Sequence, residues 1–288
     1  MKAPPPQLRV LFFDVFGTCV AQRTPVADEL WRAAREALES PDESSMGSEV
    51  RAKATEMSYE QWFEFGGEWN KESDKFVRSS IAEHGSVQWE AVDEQRVGLL
   101  PKLLARRGLI ILRERASASA SASIPEALHD VGEGSLWSAS QLEHLGRVWH
   151  RLTPWPDTCR GLDLLNRRFA TVTLSNTYNG LLKDLVAHSS IPFTHVYSAD
   201  MFQSFKPNAQ VYLGAAEKMG VKAEECALVA AHLSDLKGAK ACGFYAIYVE
   251  RPLEEKTPEL REENIPDLVI REGEGGFVAL AEKLGVVA

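Results

Sequence analysis

From residue 159 to the C-terminus the sequence alternates short apolar runs with amphipathic stretches, and this alternation leaves few folds open to the chain. Residues 159–167 read as helix, 169–174 as strand, 179–187 as helix and 196–198 as a short strand. Residues 208–219, 235–242 and 276–284 continue the helices, while 226–229, 245–249 and 266–270 continue the strands. Regular β-α alternation predicts an α/β fold, a doubly wound parallel sheet with helices on both faces.

One further strand stands far upstream. Leu8-Arg9-Val10-Leu11-Phe12-Phe13 runs directly into Asp14, and Gly17-Thr18 then turns the chain. In open α/β sheets ligands sit at the carboxyl ends of the strands, so Asp14 falls where chemistry is expected; an N-cap or turn aspartate is the alternative. Between this strand and residue 150 the pattern is helical. Residues 25–38 carry apolar positions three and four apart behind Pro25, and 89–104 repeat the pattern. The aromatic-rich residues 59–69 read as helix on either side of the Gly66-Gly67 pair. Alternating Ala and Ser over 116–123 offers too little apolar surface to pack, which predicts a flexible loop near 114–125. A helix from Ser138 and then Pro154-Trp155-Pro156 mark the return. The chain is therefore expected to hold a sheet core of residues 1–22 and 150–288, interrupted by a helical insertion of residues 23–149.

With 288 residues the chain can bury a large core and a second unit. A net charge of -9 and the lack of any basic run argue against nucleic acid or an anionic membrane as partner and favour a small molecule. Cys19, Cys159, Cys226 and Cys242 are widely spaced, without metal-ligand spacing, as expected of reduced thiols. The N-terminus lacks the apolar core of a signal peptide, and no apolar run is long enough to span a bilayer. A cytoplasmic location is the expectation.

Three further segments carry polar groups that could converge on Asp14. Ser175-Asn176 follow an apolar strand, Lys206 precedes a helix start, and His232 and Asp235 follow the run ending at Val229. Each has a plainer reading: Ser175 and Asn208 as helix caps, Lys206 as a solvated charge, Asp235 as an acid in a first helical turn, His232 as a loop histidine bonded near Asp235. Four such positions in order at strand ends are harder to explain as caps.

The set resembles the haloacid dehalogenase-like hydrolases, and within them the type II 2-haloacid dehalogenases and their eukaryotic relatives. The resemblance rests on Phe13-Asp14-Val15-Phe16-Gly17-Thr18, Leu174-Ser175-Asn176, Lys206-Pro207 followed by Tyr212, and Val229 through Asp235. It implies a Rossmann-like core with an inserted helical cap, in proteins among which dimers are common. It also implies Asp14 as nucleophile, forming an ester that water hydrolyses, with Lys206 keeping Asp14 ionised. Asp235, with His232 beside it, positions or deprotonates the water. Thr18, Phe16, Ser175, Asn176, Asn70 and Tyr212 make up the implied substrate contacts. Metal-dependent phosphatases of the superfamily place acids where Phe16 and Ala231 stand here. Mg²⁺ needs hard oxygen ligands that Asp14 and Asp235 alone supply poorly, so no metal and no cofactor are expected and a phosphatase is disfavoured.

The expected activity is hydrolytic dehalogenation of short 2-haloalkanoic acids. Asn70 stands where these relatives place an arginine for the departing halide, and Ala230 and His232 stand where the bacterial enzymes tend to carry Ser and Asn. Hydrolysis of another small substrate by the same ester chemistry, or an idle binding relative, are the alternatives.

Overall fold

The structure is a computed structural model that describes residues 3–40, 46–84, 89–113 and 126–286. The loop expected near 114–125 lies outside these residues. The chain divides into two compact units, Met1–Gln22 with His150–Ala288 and Arg23–Trp149.

The second unit is helical: α1 (Arg23–Glu39), α2 (Ser48–Glu56), α3 (Tyr59–His84), α4 (Trp89–Arg106), α5 (Glu126–His129) and α6 (Ala139–Gly146). Helix α1 buries Val26, Ala27, Leu30 and Ala34 along one stripe. Contrary to the expected break, α3 runs unbroken through Gly66 and Gly67. Each glycine costs a helix about 1 kcal/mol. Trp62, Phe65 and Trp69, spaced three and four apart, are all buried to 1% exposure or less, and each such ring contributes roughly 1.5–3 kcal/mol. Burial outweighs the glycine penalty. Gly66 also admits α1, since a Cβ there would sit 3.2 Å from Val26 Cγ1. Trp62 packs on Trp137 and Trp69 on Trp149, with ring centroids 5.6 and 4.6 Å apart. Ser138 and Gln141 start α6 with a reciprocal capping box.

The first unit holds β1 (Val10–Phe13), β2 (Ala170–Ser175), β3 (His195–Ser198), β4 (Cys226–Ala230), β5 (Tyr245–Val249) and β6 (Leu268–Ile270). All pair in parallel, in the order β3-β2-β1-β4-β5-β6. The helices between them are α7 (Thr158–Leu165), α8 (Asn179–His188), α9 (Ala209–Lys218), α10 (Leu233–Ala241) and α11 (Gly276–Lys283). Strand β1 shows why its sequence does not alternate: it is covered on both faces. Phe12 stacks on Phe244 at 5.7 Å, whereas Phe13, pointing the other way, meets Phe277 of α11 at 5.1 Å. The chain builds outward from β1 through β2 to β3, returns to β4, and builds outward again to β6. The reversal falls between β1 and β4. In open α/β sheets such a reversal is where ligands bind, at the carboxyl ends of the strands.

Candidate active site

Asp14 follows β1 immediately, and its N–H still donates to Val229 of β4 at 3.0 Å. The next residues form a tight turn in which Val15 O accepts the N–H groups of Thr18, Cys19 and Val20 at 3.2, 2.9 and 3.2 Å. Gly17 makes the turn possible at φ +82°, and a Cβ there would come within 2.8 Å of Glu254 Oε2 and 3.1 Å of His232 Cε1. The turn returns Thr18 to the carboxylate it has just left: Thr18 Oγ1 donates to Asp14 Oδ2 at 2.9 Å and accepts from Ala231 N at 2.9 Å. The second bond occupies the hydroxyl oxygen and so directs its single proton at Asp14.

Lys206 does not arrive from a strand end, as the sequence pattern suggests. It lies past β3 and a short 3₁₀ turn, Ala199–Phe202, in a loop clamped by Asn176. Asn176 Oδ1 accepts from Lys206 N at 2.7 Å while Asn176 Nδ2 donates to Lys206 O at 3.0 Å. So held, the buried ammonium donates to Asp14 Oδ1 at 2.9 Å and to Asp235 Oδ2. Asp235 stands in the first turn of α10, and its Oδ1 accepts from Tyr212 Oη at 2.6 Å. Two buried carboxylates thus share one ammonium. Burial opposes charge on Asp14, yet Lys206 and His232 together hold its carboxyl well below the usual range. Burial pushes Asp235 up against the pull of Lys206, so Asp14 keeps its charge more firmly. Lys206 itself, penalised by burial, is raised by the two carboxylates.

His232, at the N-cap position of α10, makes no cap bond; its Nδ1 lies 2.9 Å from Asp14 Oδ2. The sequence places it near Asp235, and the structure corrects this: its partner is Asp14. Burial lowers its basicity, but the bond to Asp14 and that residue's charge leave it raised overall. Its Nε2 is buried without a partner.

Asp14, Thr18, Lys206, Asp235 and His232 therefore form one cluster. Phe16 is half-buried on the turn beside it, and Ser175 is buried at the end of β2, paired in register with Ser198. Two expected substrate contacts have partners within the cluster. Tyr212 is fully buried with its hydroxyl on Asp235, and the Asn176 amide is engaged at both ends by Lys206. Asn70 lies half-buried on α3 of the helical unit.

A buried layer behind the turn escapes sequence reasoning. Arg251 Nε donates to Thr18 O at 3.0 Å, while its guanidinium grips Asp157 at 2.7 and 2.8 Å. Trp155 Nε1 donates to Gly17 O at 3.1 Å, Thr158 Oγ1 to Cys19 O at 2.7 Å, and Cys19 Sγ to Asp14 O at 3.2 Å. The carbonyls of residues 14, 17, 18 and 19 are each tied by a side chain, which fixes the turn before any ligand arrives. Burial opposes charge on Asp157, but the Arg251 pairing and the Phe277 N–H at 2.7 Å keep its carboxyl lowered. The one available signal was position: Arg251 lies two residues past β5, at the same sheet edge as Asp14.

Among the described residues no group of three or more His, Cys, Asp or Glu side chains is disposed to hold a metal ion. The donor set fits a dication poorly. The Lys206 ammonium already stands between the two carboxylates, and Phe16 and Ala231 offer no side-chain oxygen. Among the described residues no helix is long and apolar enough to cross a membrane.

The parallel sheet, with its carboxylate at the β1–β4 switch and a buried lysine beside it, defines a doubly wound α/β core with a charged site at its carboxyl end. The model of the haloacid dehalogenase-like hydrolases matches residues 8–243, and the chain belongs to that family. It is 29% identical over 113 residues to (S)-2-haloacid dehalogenase H-109 of Pseudomonas putida, a match covering 38% of this chain and 50% of that one. It is 30% identical over 125 residues to haloacetate dehalogenase H-2 of Moraxella sp. (strain B), covering 42% and 53%. The chain thus spans about half the length of these curated relatives. The solved L-2-haloacid dehalogenase PA0810 superimposes with a TM-score of 0.69 at 25% identity, covering 96% of this chain and 99% of that one. The Xanthobacter autotrophicus L-2-haloacid dehalogenase solved with chloropropionic acid covalently bound shares the fold, with a TM-score of 0.63 at 20% identity over 98% of this chain and all of that one.

Proposed function

We propose that this protein hydrolyses the carbon–halogen bond of short 2-halo carboxylic acids without a metal, through an ester on Asp14. The observation that carries the reading is the buried Lys206 ammonium shared by Asp14 and Asp235, which keeps Asp14 anionic without a metal ion. An Asp14 oxygen attacks the carbon bearing the halogen; the C–X bond breaks and halide leaves with the electron pair. Water then cleaves the ester at Cγ, releasing the hydroxy acid and regenerating the carboxylate. Asp235 orders the Lys206 ammonium on the nucleophile and accepts the proton that the attacking water gives up. Ser175 and Phe16 are proposed to meet the substrate, Thr18 to hold the Asp14 carboxylate, and Asn70, on sequence grounds alone, to donate to the departing halide. A cytoplasmic site of action and a homodimer belong to the same reading, the former supported by four free cysteines.

Asn70 favours a second reading, the same ester chemistry on another small substrate, because a neutral amide lacks arginine's fixed charge. Halide release from each enantiomer of 2-chloropropionate, assayed beside aryl phosphate hydrolysis with and without Mg²⁺, separates the possibilities. Halide release that chelators do not affect is the expected result. Metal-dependent phosphate release without halide overturns the proposal.

A further inference from the structure

The two oxygens of Asp14 are not equivalent. Oδ1 accepts one bond, from Lys206 Nζ, whereas Oδ2 accepts two, from Thr18 Oγ1 and His232 Nδ1, each at 2.9 Å. A carboxylate oxygen has two lone-pair sites. Oδ2 is therefore saturated and Oδ1 keeps one site for a reacting carbon. From this we infer that Oδ1 is the attacking oxygen and that His232 is a catalytic residue of the second half-reaction, pairing with Thr18 as a two-donor oxyanion site for Oδ2. The inference rests on the ester chemistry proposed above and assigns the atoms within it.

The chemistry distinguishes the two steps. When Oδ1 attacks carbon, negative charge leaves the carboxylate with the halide, so donors on Oδ2 gain nothing in that transition state. In the second step water's oxygen forms a bond to Cγ and the Cγ=Oδ2 electron pair moves onto Oδ2. Collapse re-forms that double bond and breaks Cγ–Oδ1; the hydroxy acid leaves with Oδ1 and one proton of the water, and the second proton dissociates from the regenerated carboxyl. Charge thus develops on Oδ2 only during hydrolysis, where two donors already stand at hydrogen-bond distance. The site is built for this. Gly17 lacks the Cβ that would crowd the imidazole at 3.1 Å, Ala231 N–H orients the threonine hydroxyl, and Nε2 has no competing partner to rotate the ring away.

The test is single-turnover kinetics with 2-chloropropionate, following halide release and, by intact-protein mass spectrometry, the ester on Asp14. In His232→Ala, halide should be released in a burst of one equivalent within ~10-fold of the normal rate, while ester hydrolysis slows by about 100-fold or more, the usual loss for one oxyanion donor. His232→Leu, which fills the space without a donor, should behave alike and covers the case in which the alanine variant does not fold. His232→Asn, which restores an N–H donor, should recover at least ~10-fold of the lost hydrolysis. Ester that hydrolyses at the normal rate in the Ala or Leu variant, or equal slowing of both steps, overturns the inference while leaving the proposed function standing. Unsubstituted protein that releases no halide and forms no ester overturns both.

Discussion

Asp14 is held from two sides by different chemistry. On the Oδ1 side a permanently charged ammonium is locked among two carboxylates and a tyrosine hydroxyl, all buried. On the Oδ2 side stand a hydroxyl and an imidazole, one neutral and one titratable. Against the cost of burial, both sides help hold Asp14 ionised, the lysine's charge most strongly and the bond and charge of His232 after it. In the proposed reaction the second side also supplies donors to an oxygen whose charge varies. Each side can be broken by its own substitutions.

The Oδ1 side should break hardest. Lys206→Met leaves Asp14 and Asp235 buried with no cation between them, and removing one partner of a buried ion pair typically costs about 3–5 kcal/mol. We expect a matching loss in urea-denaturation stability and no detectable halide release. A variant of full stability would show that the two carboxylates do not depend on the lysine. Tyr212→Phe should cost less, about 1–3 kcal/mol for a buried acceptor left short of a donor. As a positioning residue it should lower kcat with KM unchanged; a raised KM at unchanged stability would return Tyr212 to the substrate.

How much of this was legible follows from what each residue depends on. The strands, their order of chemistry-bearing ends, and the insertion after β1 all follow from local apolar runs, because burial on both faces leaves no polar residue to blur them. Asp14 and Thr18 can be marked for the same reason, since they follow such a run; Lys206 follows no strand and is marked by the helix start after it. The roles of Tyr212 and Asn176 could not, since which way a buried hydroxyl or an amide points is set by partners 23 and 30 residues away. The sequence pairs His232 with the neighbouring Asp235, whereas tertiary folding carries it to a carboxylate 218 residues distant. Arg251 and Asp157 were missed because their contacts are to backbone oxygens and to each other, a layer that leaves no motif.

The Oδ2 side should break most gently, and through pH. His232 has a folded pKa above its ordinary 6.5, because the bond to Asp14 and that residue's charge together outweigh burial. A group raised on folding contributes its full stabilisation below its unfolded pKa and loses it as pH rises through the folded value. Asp14 is depressed below its ordinary 3.8, so its contribution is present above that pH and lost only as pH falls through the folded value. Both contributions coexist in the window from about pH 4 to pH 6.5. Melting temperatures of the protein and of His232→Leu, compared across pH 4.5 to 9 at constant ionic strength, should differ most at the acid end. The pH-dependent part of the gap should be about 2–4 °C, the size ~1 kcal/mol produces in chains of 150–250 residues, and it should close as pH rises. A gap that stays constant with pH would mean that packing of the ring, rather than charge shared with Asp14, is what His232 contributes to the folded state.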